Sequence, residues 1–405
     1  MKSLMESLTN PIKIDLVDKV HGDDKLHLLK YLKDKKIVIV SNSCWNIYNF
    51  RSNIIQMLLD LGAKVHILAP IDETIQHLSK LSDVSIVPLH HLKRNSSNPF
   101  SELVLFRELY AKYKKIQPDY VLHYTIKPNI YGSIATGMLK VNSASVVTGL
   151  GYTFLHDGWL KQLVERMYRF AFKFNKTVIF ENQDDKQLFI DLQIINTQKA
   201  VSVKGCGVNV DHFKTKVNRI DRENTSFLFI GRLLYDKGIR EYIEAAKVLK
   251  LKYPDIKFVV VGLLDKENPS YVHRDTLMEW INSGAIEYYN EAEDVRPFLE
   301  KSDCIVLPSY REGLPKVIIE AMAMALPVIT TNTAGCRETT IENENGFLVP
   351  TADINALITA MEKFILLSNG NRYRMGQKSL KKAHNEFLDT SIATEILKLV
   401  ANSFV

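Results

Sequence analysis

Two glutamates with seven residues between them flank a predicted helix start in the second half of the sequence. Glu312 precedes Gly313, and Glu320 lies one turn inside the helix expected to begin near Lys316. A carboxylate can accept both hydroxyls of a ribose diol, and a helix N-terminus after a glycine offers free N–H groups to an anion. Either glutamate alone is better explained as a helix-dipole partner or a solvated residue. With Gly-Leu-Pro between them, after an apolar strand, they predict a nucleotide diphosphate site.

A second segment, Ile230–Gly238, carries two basic residues between a predicted strand and a predicted helix. Arg232 can hold a phosphate through its bidentate guanidinium, and Lys237 can hold one as a point charge. The alternative is two solvated basic residues in a surface turn. Because Gly-Arg follows a strand and Lys-Gly starts a helix, the segment favours phosphate binding.

In the first half, polar residues are concentrated at the carboxyl end of one predicted strand, Tyr120–Tyr124. They are His123, Thr125, Lys127 and Asn129. A histidine there can hydrogen-bond a sugar hydroxyl or the reacting centre, and the lysine can meet an acceptor phosphate. A satisfied, partly buried histidine explains the same position equally well.

The elements that must position these residues follow a repeated pattern. Short β-branched runs alternate with longer helical patterns from residue 36, and the alternation starts again after residue 210. Such runs are typical of parallel strands covered on both faces by helices. We therefore predict an α/β protein with two Rossmann-like, doubly wound domains. They would face each other across a central cleft, where open α/β sheets bind ligands.

The predicted organisation has four parts. Residues 1–35 form a polar N-terminal extension, and residues 36–206 form the first domain, which is expected to bind the acceptor. Residues 207–388 form the second domain, which is expected to bind the nucleotide. Residues 389–405 form a helix that crosses back to the first domain. Residues 203–209, with two glycines and few packing residues, would connect the domains.

The composition excludes several classes of protein. With 405 residues, 46% hydrophobic and 24% charged, the chain is neither collagen-like nor largely disordered. A net charge of +6 is too small to indicate a nucleic-acid partner. The excess lies in residues 37–208, which have 19 basic and 13 acidic residues. Four widely spaced cysteines, no long apolar run and no signal-peptide core predict a cytoplasmic protein with free thiols.

Residues 159–176 predict an amphipathic helix with a basic face. Its apolar stripe consists of Leu160, Leu163, Val164, Met167, Ala171 and Phe174. Such a helix can lie on an anionic membrane surface, each basic group adding about 1 kcal/mol. An ordinary surface helix packed on the sheet explains the same spacing, so the pattern alone leaves both readings open.

The two segments of the second half together resemble the nucleotide-sugar half of family 4 glycosyltransferases, which have the two-domain GT-B fold. Residues 334–338 and 345–350 carry further motifs of this family. The resemblance implies that Arg232 and Lys237 hold the donor diphosphate and that Glu320 binds the ribose. It also implies that Glu312 contacts the sugar, and we assign it a catalytic role together with His123. The remaining donor-binding residues would be Gly313, Leu314, Pro315 and Lys316.

The first-half motifs are similar to a narrower branch of this family that extends polyprenyl-diphosphate-linked sugars in bacterial glycans. The family retains anomeric configuration and needs no metal, and this sequence has no Asp-x-Asp motif. Residues 43–51 depart from the family, since many members have a glycine-rich loop there. The acceptor would be bound by Thr125, Lys127, Asn129 and Arg51.

The sequence therefore predicts a retaining glycosyltransferase that uses a UDP-sugar as donor substrate and no other cofactor. The donor is expected to carry an N-acetylhexosamine, and the acceptor to be a polyprenyl-diphosphate-linked saccharide of a capsule or O-antigen. The protein would associate peripherally with the inner face of the cytoplasmic membrane through helix 159–176. The alternatives are a nucleotide-sugar epimerase or a sugar phosphorylase of the same architecture, and a non-catalytic nucleotide-sugar-binding partner in a glycan-assembly complex.

Overall fold

Two parallel β-sheets form the centres of two α/β domains in the computed structural model. It describes residues 16–81, 83–93, 98–151, 154, 158–215 and 225–405. The first sheet has the order β3-β2-β1-β4-β5-β6-β7. Its strands are β1 Lys36–Val40, β2 Lys64–Ala69, β3 Val84–Pro88, β4 Tyr120–Tyr124, β5 Asn142–Val147, β6 Thr177–Phe180 and β7 Ala200–Ser202.

The second sheet repeats this order one strand shorter, as β10-β9-β8-β11-β12-β13. Its strands are β8 Ser226–Ile230, β9 Lys257–Val261, β10 Glu287–Tyr289, β11 Cys304–Leu307, β12 Val328–Thr331 and β13 Gly346–Val349. The strand order reverses between β1 and β4 and between β8 and β11, and ligands of open α/β sheets bind at such points. The predicted pair of doubly wound domains is confirmed.

Helices cover both faces of each sheet because the strands are apolar on both sides. Those of the first domain are Gly22–Leu32, Cys44–Asp60, Ile75–Leu78, Pro99–Ile116, Ser133–Leu139 after a π-helical turn at Pro128–Gly132, Trp159–Ala171 and Gln183–Asp191. Those of the second domain are Ile239–Lys252, Arg274–Asn282, Arg296–Lys301, Lys316–Ala323, Cys336–Thr339, Ile354–Ile365 and Asn369–Glu386. The last helix is Asp389–Ala401.

The first domain contains segments from both ends of the chain. Leu28 and Leu32 of the Gly22–Leu32 helix are buried in the same core as β1. Ile396 and Val400 of the last helix lie in that core as well. The described part of the predicted polar extension is therefore packed on the first domain.

The chain passes between the domains twice, and the two passages run side by side. Val208 donates its backbone N–H to Phe387 O (2.8 Å), and Asp389 donates to Val208 O (3.2 Å). Gly207 has φ +73°, and a Cβ there would lie 2.5 Å from the Asp389 Cα. The glycine is therefore required where the two passages touch.

The apolar pattern of the sequence marks β5 only from Ser145 onward. β5 begins at Asn142, and its Ser143 and Ser145 are buried. The Ser145 hydroxyl lies 3.0 Å from that of Ser133, and the Ser143 hydroxyl lies 2.9 Å from that of Thr136. These hydroxyl pairs allow polar residues inside a buried strand, so this stretch lacks the apolar pattern that identifies the other strands.

Candidate active site

The turn after β11 carries the first of the two predicted glutamates, and neighbouring loops fix its shape. The Ser309 hydroxyl donates to Asp236 O (3.2 Å), and Tyr310 donates its N–H to the same carbonyl (2.8 Å). Glu312 donates its N–H to Ala334 O (3.2 Å). A Cβ on Gly335, which has φ +74°, would lie 2.2 Å from Gly313 O. Backbone contacts therefore hold Glu312 in place.

The structure brings Lys237 and Glu312 together, as expected for residues that follow the adjacent strands β8 and β11. The Lys237 Nζ lies 2.5 Å from a Glu312 carboxylate oxygen, and both side chains are largely buried. Gly238 has φ +72°, and a Cβ there would lie 2.1 Å from Pro308 O. The Lys-Gly pair therefore lies directly against the end of β11.

Arg232 follows the same strand as Lys237, β8, and has a partner of its own. Its guanidinium lies 2.6 Å from the carboxylate of Asp265, and the arginine side chain is about half exposed. Sequence reasoning missed Asp265, because a single acidic residue after a strand has no spacing partner that marks it. Both candidate phosphate-binding cations thus have a carboxylate as counterion.

Glu320 lies in the helix Lys316–Ala323, which begins three residues after Gly313. Burial raises the pKa of its carboxyl to about 7, and Lys316 opposes this shift. The Lys316 Nζ lies 3.6 Å from the Glu320 carboxylate and also donates to Asn49 O in the first domain. The second glutamate is therefore close to the boundary between the domains and titrates near neutral pH.

The turn at Gly313 touches the first domain directly. A Cβ on Gly313 would lie 2.5 Å from Thr148 O and 2.9 Å from the Gly149 nitrogen. The Asn182 side chain donates to Gly313 O (2.7 Å). The donor-side turn and the carboxyl ends of β5 and β6 are thus in contact across the cleft.

His123 lies away from the cleft surface and has no exposed area. Its Nε2 lies 3.1 Å from the Tyr113 hydroxyl, its Nδ1 lies 3.5 Å from that of Ser133, and its ring packs on Gly132. Burial lowers the pKa of its imidazole to about 3, so the ring is neutral. Of the two interpretations the sequence left open, this geometry favours the satisfied, buried histidine.

The other three polar residues after β4 differ in what they can still bind. Lys127 forms an ion pair with Glu102 (2.6 Å), and the buried Asn129 donates to Val146 O (2.9 Å). Thr125 has φ +72°, which is strained for a β-branched residue. Its buried hydroxyl has no hydrogen-bond partner in the described part of the chain. The Asn129 Oδ1 atom likewise lacks a partner among the described residues, so Thr125 and Asn129 both keep an unused polar group.

Arg51 is almost fully buried, at 2% exposure, on the helix that follows β1. Its guanidinium forms an ion pair with Glu181 (3.0 Å) and lies 4.2 Å from the centre of the Tyr124 ring. Within the described residues, its Nε and Nη1 atoms have no hydrogen-bond partner. Sequence reasoning missed Glu181, which immediately follows β6, because nothing in its local spacing points to Arg51.

The predicted amphipathic helix forms over Trp159–Ala171. Trp159 is 76% exposed, and Leu160, Leu163 and Phe170 are also exposed. Of the expected apolar stripe, Leu160 and Leu163 are therefore exposed, whereas Val164, Met167 and Ala171 pack in a core of the first domain. No helix in the described part of the chain is both long and apolar enough to cross a membrane.

Comparison with known proteins identifies the family. The model "Glycosyl transferase 4-like" matches residues 36–182, and "Glycosyl transferases group 1" matches residues 211–382. The chain is 30% identical to N,N'-diacetylbacillosaminyl-diphospho-undecaprenol α-1,3-N-acetylgalactosaminyltransferase of Campylobacter jejuni, over 90% of this chain and 98% of that protein. The chain belongs to this family of glycosyltransferases.

A second relative of this glycosyltransferase is the Escherichia coli UDP-Gal:α-D-GlcNAc-diphosphoundecaprenol α-1,3-galactosyltransferase. The two are 30% identical over 62% of this chain and 68% of that protein. Among solved structures, Anabaena HepE in complex with UDP and glucose aligns with a TM-score of 0.75 and 17% identity, covering 91% of this chain and 100% of that one. At this identity the likeness shows the fold, and the GT-B prediction is confirmed.

Proposed function

We propose that this glycosyltransferase moves a sugar from a UDP-sugar to a polyprenyl-diphosphate-linked saccharide, with retention of configuration and without a metal ion. The contact between Lys237 and Glu312, beside the helix that holds Glu320, is the observation that carries the proposal. The names of the C. jejuni and E. coli relatives support the acceptor class, and the UDP complex of HepE supports the donor. An N-acetylhexosamine is the expected donor sugar.

On the donor side, Lys237 and Arg232 would neutralise the diphosphate as the bond to the sugar breaks. Each now pairs with a carboxylate, and a bound diphosphate would replace that carboxylate as counterion. The free N–H groups at the N-terminus of the helix that begins at Lys316 would stabilise the negative charge of the same diphosphate. Ionised Glu320 would accept the ribose hydroxyls.

Glu312 would be the group that touches the transferred sugar. Once a diphosphate draws Lys237 away, the Glu312 carboxylate is released while its backbone stays fixed by Ala334. A carboxylate in this position can hydrogen-bond sugar hydroxyls and stabilise positive charge at the reacting carbon. We assign no protein nucleophile, and we do not carry the catalytic role of His123 into the proposal because that side chain is buried.

On the acceptor side, Thr125 and Arg51 are among the described residues that have unused hydrogen-bonding groups at the switch point between β1 and β4. They would bind the acceptor there, within reach of the donor turn. Lys127 and Asn129 would support this site through the partners they already have.

The helix Trp159–Ala171 would hold the protein at the inner face of the cytoplasmic membrane, where a lipid-linked acceptor is found. Its exposed apolar residues and its neighbouring basic ones fit an anionic bilayer surface. Replacing Leu163 by glutamate should reduce co-flotation with anionic vesicles. Leu251→Glu is the control, since Leu251 is also an exposed leucine, with an even larger exposed fraction, but lies on the second domain. An equal loss of co-flotation in both variants would contradict a membrane-binding role of this helix.

The decisive experiment combines a panel of UDP-sugars with short synthetic polyprenyl-diphosphate saccharides, with and without EDTA. We expect one donor to give a glycosylated lipid whose new bond keeps the donor's anomeric configuration, at an unchanged rate in EDTA. Epimerised donor formed without acceptor would indicate the epimerase instead. Consumption of free phosphate would indicate a phosphorylase, and UDP binding without any product would indicate a non-catalytic partner.

A matched pair of variants tests the donor site itself. Lys237→Ala should lower kcat/KM by about 100-fold or more, because the leaving diphosphate loses a positioned cation. Lys247→Ala removes a lysine from an exposed helical pair with Glu244 and should change kcat/KM by less than about threefold. Equal effects would show that bulk charge, and not the position of Lys237, supports the activity.

A further inference from the structure

The turn after β6 joins the first domain to the donor-side turn of the second domain. Asn182 lies in this turn and Asp185 in the first turn of the helix that follows, Gln183–Asp191, and neither has exposed surface. The Asn182 side chain caps the helix Gln183–Asp191 by accepting from the Asp185 N–H (2.7 Å). Its amide nitrogen donates to the Asp185 carboxylate (3.0 Å) and to Gly313 O (2.7 Å). One amide therefore reaches across the boundary to the residue after Glu312.

Asp185 makes the charged contact of this group. Its carboxylate accepts from the Arg311 guanidinium, which belongs to the second domain and directly precedes Glu312. A fully buried carboxylate is costly unless it is paired and hydrogen-bonded. Asp185 meets that condition only while the two domains are in contact. The pair therefore ties a buried charge of the first domain to the closed arrangement.

Together these contacts hold both sides of Glu312. Arg311 is held by Asp185, and Gly313 is held by Asn182. Glu312 itself points its carboxylate to Lys237. The Asn182 amide also donates to Glu312 O (3.5 Å), so the first domain fixes the backbone of the residue that would meet the transferred sugar.

We propose that Asn182 and Asp185 are positioning residues that hold the turn Arg311–Gly313 against the first domain and so place Glu312 for sugar transfer. This inference rests on the proposed function. Nucleotide binding by Arg232, Lys237 and Glu320 uses groups of the second domain only, so it does not need these contacts. Losing them should therefore affect turnover more than UDP affinity.

The test is Asp185→Asn, with Asp184→Asn as matched control. Asp184 is the preceding residue and also faces the second domain, but its pair with Arg337 is exposed and 3.6 Å long. Because a displacement of about 1 Å can cost about 100-fold in rate, we expect Asp185→Asn to lower kcat by about 10- to 100-fold. UDP affinity by calorimetry should change by less than about threefold. Asp184→Asn should change both by less than about threefold.

Arg311→Gln removes the same contact at the partly exposed arginine and should lower kcat to a similar extent. It provides the test if Asp185→Asn does not fold. In the double variant, kcat should fall no further than in the worse single variant, since both remove one interaction. Unchanged kcat in both single variants would overturn the proposal. A parallel fall in UDP affinity, or an equal loss of kcat in Asp184→Asn, would also overturn it.

Small-angle scattering gives a readout that needs no substrate. Asp185→Asn should be more expanded than the wild type, and Asp184→Asn should not. If the wild type transfers no sugar to any acceptor, the proposed function fails, while the scattering still tests the contact. Identical scattering of all three proteins would show that Asp185 does not hold the domains together.

Discussion

Replacing Gly313 by alanine tests the closeness of the two domains at the donor turn. The new methyl group would lie 2.5 Å from Thr148 O and 2.9 Å from the Gly149 nitrogen, both backbone atoms of the first domain. To reach the 3.4 Å of ordinary contact, the turn must move by about 0.9 Å. Because a misplacement of about 1 Å can cost about 100-fold in rate, kcat should fall by that order.

The assay is transfer to the synthetic lipid acceptor at saturating substrate concentrations, with UDP affinity measured in parallel. Gly370→Ala is the matched control, since a Cβ at Gly370 would meet nothing within 4 Å. It should leave kcat within about threefold of the wild type, and circular dichroism should show both variants folded. If Gly313→Ala keeps a wild-type kcat, the closed contact is not the arrangement in which transfer occurs, and the reasoning fails.

Other predictions concern titration and stability. Because burial raises the pKa of Glu320 to about 7 and the ionised form would accept the ribose hydroxyls, UDP affinity should rise between pH 6 and pH 8. In Glu320→Gln, calorimetry should show a UDP affinity that no longer rises between pH 6 and pH 8. If the affinity of this variant keeps the wild-type pH dependence, Glu320 does not bind the ribose as proposed. His123→Ala leaves the buried Tyr113 hydroxyl without its partner and should lower the free energy of unfolding by about 1–3 kcal/mol. Since burial lowers the pKa of His123 to about 3, the pH profile of kcat for His123→Ala should have the same midpoints between pH 6 and pH 8 as that of the wild type. If a midpoint of the wild-type profile is absent in His123→Ala, His123 does take part in the reaction.

The sequence was sufficient to predict the two sheets because most of their strands are apolar on both faces. The sequence assigned Lys237 to the diphosphate and Glu312 to the sugar separately, and the sheet topology explains their contact, since each follows a strand end at the same switch point. It could not predict β5 correctly, because the hydroxyl partners of Ser143 and Ser145 come from a different element. A residue pattern shows which groups are apolar, but not which polar groups satisfy one another.

The same limit applies to the site. His123 has the type and position of a catalytic residue, and only its contact with Tyr113 shows it to be buried and neutral. Glu181 and Asp185 follow β6, and their partners Arg51 and Arg311 lie more than a hundred residues away in the chain. No local spacing can reveal such pairs.

The two adjacent passages of the chain between the domains also restrict how the enzyme can open. A single linker would allow the second domain to swing and twist in any direction. Two connections, hydrogen-bonded at Val208 with Phe387 and Asp389, leave mainly rotation about an axis near these hydrogen bonds. Donor entry and product release would then follow a single angular coordinate. Substrate contacts far from this axis would separate first and most widely on opening.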